Sequence, residues 1–206
     1  WIYFMFVIGL TGGIGSGKTE ASKILESFGA WIINADTLGH GIYRKNTKAW
    51  TKIVEEFGDT ILDTAGNIIR SELAKRVFSS KNELDKLNNI CHPEIKNLVI
   101  TELNKLNSKK ANVVVVEAAI LIEANWQNIV DEVWLIDSKT SNIFDRVKKR
   151  DKIDDQAIKS RIDSQMNHTE RFEYADEVIT NNGTIDELRN ALSEIYREKF
   201  ISLNKE

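Results

Sequence analysis

Apolar positions in this 206-residue chain follow two rhythms. Short unbroken runs, bounded by glycine, asparagine or an acid, predict buried strands at residues 2–10, 31–33, 113–116, 133–137 and 178–180. Between them apolar residues recur at helical spacing. Ala21, Ile24, Leu25 and Phe28 predict a first helix stopped by Gly29, and Thr184 with Glu187 predicts a capping box opening a last helix marked by Ile185, Leu188, Leu192, Ile195 and Leu203. From about Leu38 to Lys110 the strand signal vanishes. Trp50, Ile53, Val54 and Phe57 predict one helical face, Leu73, Val77 and Phe78 another. A longer one runs through Leu84, Leu87, Cys91, Ile95, Leu98 and Leu106, interrupted at His92-Pro93, where proline removes a donor. Asp63-Thr64-Ala65-Gly66-Asn67 reads as a turn. A second charged, helical stretch occupies 141–173, with Ile143, Phe144 and Val147 as its packed side. The pattern predicts one α/β unit with two helical insertions.

The turn between the first strand and first helix carries chemistry. Gly12-Gly13-Ile14-Gly15-Ser16-Gly17-Lys18-Thr19 fits G-x-x-x-x-G-K-[ST] and stands in the strand-to-helix setting that motif needs. Glycines let backbone N–H groups converge on phosphate oxygens, and the helix N-terminus adds a favourable field. Lys18 would then reach β- and γ-phosphates, and the Thr19 hydroxyl would ligate magnesium.

Composition narrows the setting. A net charge of −3 gives no nucleic-acid signal. The single cysteine, Cys91, excludes an internal disulfide, fits a reducing compartment such as the cytoplasm, and falls among core positions. The apolar N-terminus is too short to span a bilayer and lacks a basic leader. Met5 reads as a possible native start, with residues 1–4 an appended or upstream stretch.

Other candidates follow from position. Ligands of open parallel sheets bind beyond the carboxyl ends of the strands, so Asp36, after the second strand, is placed either to touch substrate or to cap the helix starting near Thr37. Glu117 ends the valine strand as either a magnesium-shell carboxylate or an ordinary strand-end acid, and Glu123 is a second candidate on that edge. Arg70 and Arg76 either grip an anionic group or are solvated surface arginines. His92 is either a ligand contact or a packed histidine. Arg146 and Arg150, four apart on one helical face, either close over polyphosphate as a lid or belong to a solvated charged helix, with Arg161, Gln165 and Arg171 in the same segment. Asn104-Lys105-Leu106-Asn107 lacks the acid of the guanine signature, which disfavours a GTP switch.

Taken together, the wording from Ile8 through Lys18, Ala35-Asp36, Gly58, Arg70 with Leu73, Arg76 and Phe78, His92-Pro93-Glu94-Ile95, Leu121-Ile122-Glu123, Arg146 and Arg150-Asp151, Arg161 with Gln165, and Ala175-Asp176 leading to Asn181-Asn182-Gly183 resembles the dephospho-CoA kinase family over essentially the whole chain. The resemblance implies a three-layer P-loop kinase fold with a five-stranded parallel sheet in order 2-3-1-4-5. It implies a core of 1–36, 112–140 and 174–206, a helical CoA-substrate insertion at 37–111, and a lid at 141–173. It implies ATP and Mg²⁺, and phosphorylation of the ribose 3′-hydroxyl of dephospho-CoA, with no nucleic-acid or membrane partner. Asp36 then resembles the acid that accepts the hydroxyl proton, Lys18 and Thr19 the ATP and Mg²⁺ contacts, Arg146 and Arg150 lid arginines, and Asn181 to Gly183 part of the adenine loop. Three places depart from the family pattern: Asn34 where an acid is usual, Glu20 after Thr19 where a small hydroxyl is usual, and Glu117-Ala118-Ala119 at the strand-three exit, which proline often follows in bacterial members.

Overall fold

The computed structural model describes residues 5–201, so residues 1–4, with the predicted strand start at Ile2 and the reading of them as an appended stretch, lie outside them, as does Leu203. Five strands, β1 (Phe6–Thr11), β2 (Trp31–Asn34), β3 (Val113–Glu117), β4 (Glu132–Asp137) and β5 (Glu177–Thr180), form one parallel sheet in the order β2-β3-β1-β4-β5. The apolar runs explain the placement. All of β3 is buried, and four consecutive valines suit a strand covered on both faces. The sheet's edge strands, β2 and β5, are short and half-exposed. Register sets Leu10 against Glu117 and Asp137 against Thr180, aligning strand ends along one edge.

The chain divides into two compact units. The first holds residues up to Ile33 and from Lys105 onward. Its core joins Ile8, Leu10, Val113, Val115, Trp134, Ile136 and Ile179 of the sheet to Ala21, Ile24 and Leu25 of α1 (Lys18–Ser27), where Gly29, at φ 100°, follows the helix end as the sequence predicts. A late helix, Ile185–Tyr196, adds Leu188, Leu192 and Tyr196, and its predicted capping box is formed. Ile185 itself is exposed.

The second unit, Asn34–Asn104, contains α2 (Ala35–Gly39), α3 (Lys48–Phe57), α4 (Arg70–Phe78) and most of α5 (Lys81–Ser108). Ile42, Ile53, Phe57, Ile61, Leu73, Val77, Leu87 and Cys91 make its core. The predicted turn is formed, Asp63 Oδ1 accepting from the Ala65 and Asn67 amides. Two expectations fail here. α5 continues through His92-Pro93, its 28 residues held by a buried stripe of Leu87, Cys91, Val99, Leu103 and Leu106 whose burial outweighs the roughly 3 kcal/mol that a helical proline costs. Leu98 and Phe78, both assigned to packed faces, are exposed, because the buried rows follow a spacing near four that passes them by.

In the first unit α6 (Thr140–Asp151), α7 (Asp155–Asp163) and α8 (His168–Phe172) follow β4, and α9 is the capped helix 185–196. Among the described residues no helix is long and apolar enough to cross a membrane.

Candidate active site

β1 ends at Thr11 and α1 begins at Lys18, so residues 12–17 form the cradle. Gly15 and Gly17 each stand where glycine is needed. Gly15 has φ 68°, and Gly17, the N-cap of α1, has φ 102° and no room for a side chain, since a β-carbon there would lie 2.1 Å from Asn181 Nδ2. Lys18 folds back, its ammonium donating to the carbonyls of Gly12 (2.7 Å) and Gly13 (3.2 Å). The Ile14 amide, one of the donors a phosphate would need, donates instead to Gln165 Oε1 at 2.8 Å.

Thr19, in the first turn of α1, donates from Oγ1 to Glu117 Oε1 at 2.8 Å. Register explains the meeting: Glu117 ends β3 directly beside Leu10, one residue before β1 stops. The carboxylate is buried against the cradle, so a hydroxyl and an acid, both hard oxygen donors, face each other. Magnesium binds through one or two protein oxygens plus water and substrate phosphate, so this pair fits it. A ready-made cage of three or more His, Cys, Asp or Glu does not occur among the described residues.

Arg146, one of the two arginines predicted on a lid face, lies against the cradle. Its guanidinium donates to Gly15 O, Ser16 O, Ser138 Oγ, Asn181 O and Asn181 Oδ1, at 2.9 to 3.4 Å. Asn181 in turn donates to Ser16 O (2.8 Å), and Asn182 Oδ1 accepts from the Lys139 amide (2.7 Å). The cradle, the β4 exit and the segment Asn181-Asn182-Gly183 are thereby tied together. A β-carbon at Gly183 would meet Glu187 Oε2, the tip of the side chain that caps α9. Arg150, four residues on, is exposed and pairs with Asp151 (2.6 Å), which also takes Arg161 (2.6 Å); the two arginines hold the Asp151 carboxyl below its usual range.

Glu123 accepts from Arg171 Nη2 at 3.0 Å. Arg171 is only 5% exposed and lies against the backbone of Gly13. With Gly13, Ile14, Ser16, Ser138 and Gln165 it lines a cavity of about 730 Å³. Ser138 had no sequence signal, a lone serine carrying no periodicity. Gln165 is visible in the sequence as part of the family resemblance, and Arg171 only as a member of a charged segment.

In the second unit, Asn34 is the N-cap of α2, its Oδ1 accepting from the Thr37 amide at 2.7 Å. The capping role considered for Asp36 therefore falls to Asn34, and Asp36 stands in the first helical turn. Arg70 donates to His40 O (2.9 Å) with its guanidinium 4.9 Å over the Tyr43 ring. Arg76 donates to Phe57 O (2.5 Å) and pairs with Glu83 (3.5 Å). His92 lies on α5, partly buried. Cys91 is buried, 3.7 Å from Tyr43 Oη, and burial pushes its thiol pKa up.

A glycine cradle with its lysine and hydroxyl, set at the strand ends of a sheet ordered 2-3-1-4-5, places this chain in the class of P-loop kinases. The model of the family described as dephospho-CoA kinase matches residues 6–187. A dephospho-CoA kinase of Dehalococcoides mccartyi is 36% identical over 195 residues, covering 95% of this chain and 98% of the relative. Among solved structures, a Thermus thermophilus protein superposes with TM-score 0.80 at 28% identity, covering 95% of this chain and 98% of its own. The dephospho-CoA kinase of Campylobacter jejuni superposes with TM-score 0.69 at 27% identity, covering 97% and 98%. The chain belongs to the dephospho-CoA kinase family. That family's activity is ATP-dependent phosphorylation of dephospho-CoA, the final step of coenzyme A biosynthesis.

Proposed function

We propose that this chain transfers the terminal phosphoryl group of Mg-ATP to the ribose 3′-hydroxyl of dephospho-CoA, releasing ADP and CoA. The observation that carries the reading is the Thr19–Glu117 pair beside a phosphate cradle in a chain of this family. Amides of Gly13 to Thr19 bind the phosphates, and Lys18 exchanges two neutral carbonyl acceptors for charged β- and γ-oxygens. Thr19 would hold Mg²⁺, with Glu117 fixing the hydroxyl and its surrounding waters; when bound, the ion neutralises charge shared by the β- and γ-phosphates. Asn181 to Gly183 line the adenine end.

Phosphoryl transfer passes through a loose transition state, so placement and charge matter more than early proton removal. Asp36 takes the 3′-hydroxyl proton as the new bond forms. Asn34, not Asp36, caps α2. Arg70, Arg76 and His92 are the contacts proposed for dephospho-CoA. Arg70 is the best supported of these, because Arg76 already serves a carbonyl and a carboxylate. Arg150, exposed on α6, is proposed as a lid arginine that closes over the nucleotide. The chain works in the cytoplasm, where a buried free thiol stays reduced.

The test is ADP release with Mg-ATP and dephospho-CoA, alongside adenosine, AMP and no acceptor, with CoA confirmed by mass. Turnover confined to dephospho-CoA is expected. Equal turnover with AMP or adenosine, or none with dephospho-CoA, overturns the assignment.

A further inference from the structure

Among the described residues, Arg171 is a buried cation whose hydrogen bonding is incomplete. Arg171 is 5% exposed, and Nη2 is spent on Glu123 Oε1 at 3.0 Å. Its Nε and Glu123 Oε2, both buried, have no hydrogen-bond partner. Nε shares an edge of the guanidinium with Nη2 and so faces the Glu123 carboxylate, whereas Nη1, on the other edge, lies against Gly13 and is the donor placed for a ligand. The surroundings state its chemistry. Arg171 lies against Gly13 and shares the cavity of about 730 Å³ with Gly13, Ile14 and Ser16, the residues that cradle phosphate.

The other arginines of this segment do not compete for that place. Arg146 is bound to four carbonyl or amide oxygens and a hydroxyl, and Arg150 and Arg161 share Asp151. Among these arginines, Arg171 combines burial, an unmet donor and contact with the cradle. A guanidinium also offers a fork of donors that matches phosphate oxygens, which a lysine does not.

We propose that Arg171 contacts the terminal phosphoryl group of the bound nucleoside triphosphate, and that Glu123 is the positioning residue that seats its guanidinium against the cradle. This rests on the phosphotransfer reading above. Glu123 takes one edge of the guanidinium and leaves Nη1, beside Gly13, for the ligand.

The experiment compares ATP and ADP binding by calorimetry, together with kcat, for the wild type, Arg171→Gln, Arg171→Lys and Glu123→Gln. Arg171→Gln is expected to weaken ATP by about tenfold or more while ADP moves less than about twofold, and to lower kcat by about 10³-fold. Arg171→Lys keeps charge and the Glu123 pair but loses the fork, so it folds and still loses preference for ATP over ADP. Glu123→Gln shifts the ATP-to-ADP ratio in the same direction by a smaller factor. Equal losses for ATP and ADP in the arginine variants, or a wild-type ratio in Arg171→Lys, overturn the proposal. Should Arg171→Gln fail to fold, the lysine variant decides. Because the ratio is read without acceptor, failure of dephospho-CoA turnover in the wild type would sink the functional reading without deciding this one.

Discussion

Thr19 and Glu117, 98 positions apart in sequence, meet through a 2.8 Å hydrogen bond because β1 and β3 are parallel and in register up to Leu10 and Glu117. If this pair serves magnesium, Thr19→Val and Glu117→Gln should each raise the Mg²⁺ concentration for half-maximal rate by roughly 10–100-fold, the usual loss when a ligand's supporting partner is removed. Titrating Mg²⁺ at fixed ATP checks this; an unmoved midpoint in both variants would rule out the assignment.

Asp36 and Lys18 should fail in different ways. Asp36→Asn is expected to lower kcat by about 10²–10⁴-fold, the range for general-base assistance, with ATP affinity unchanged. Lys18→Ala should damage ATP binding and turnover together. Normal turnover by Asp36→Asn would remove the base from the mechanism.

Arg146 and Arg150 separate on stability. Arg146→Gln loses a charged donor to five acceptors, in a setting where each such bond contributes about 1.5–3 kcal/mol, so a melting point several degrees lower is expected. Arg150→Gln, at an exposed pair, should stay within about 0.5 kcal/mol of wild type. Thermal melts without nucleotide read both, and matching melts would deny Arg146 its structural role.

Asn34→Ala removes the α2 cap at an expected cost of about 0.5–2 kcal/mol, whereas Asn34→Asp, which also caps, should retain stability. Urea unfolding midpoints decide. An alanine variant as stable as wild type would mean the Thr37 amide finds another acceptor.

Burial raises the Cys91 thiol above its ordinary value, partly offset by the Tyr43 hydrogen bond, and burial raises the Tyr43 hydroxyl as well. Both groups therefore favour folding at low pH. The unfolded thiol ionises near pH 8.5, so stability should be full below that pH and fall as pH rises toward the folded value. Urea midpoints from pH 7 to 10 should decline, and Cys91→Ala should flatten part of the slope. Native protein at pH 8 should also resist iodoacetamide that modifies it in urea; rapid native labelling would contradict the burial.

The sheet and cradle were legible because they depend on local rules: β-branched runs, a glycine motif with fixed spacing, and the capping box at Thr184. Phe78 and Leu98 misled because a two-dimensional helical pattern cannot say which neighbouring row is covered. Pro93 misled for a related reason, since the burial that carries α5 through it comes from tertiary packing. At the site, spacing put Arg146 and Arg150 on one face, but their different partners come from Asn181 and Asp151, one of them 35 residues away. Arg171 and Gln165 reach the cradle through the fold of α7 and α8, and no periodicity announces that.

Gln165 gives the cradle a way to discriminate. The Ile14 amide already has a neutral oxygen at 2.8 Å, so an incoming ligand exchanges one acceptor for another instead of filling a bare donor. A neutral carbonyl or hydroxyl gains nothing by that exchange. A charged oxygen does, because charge-assisted bonds are roughly twice as strong as neutral ones. The loop is therefore a filter for charge, set against uncharged nucleoside-like molecules.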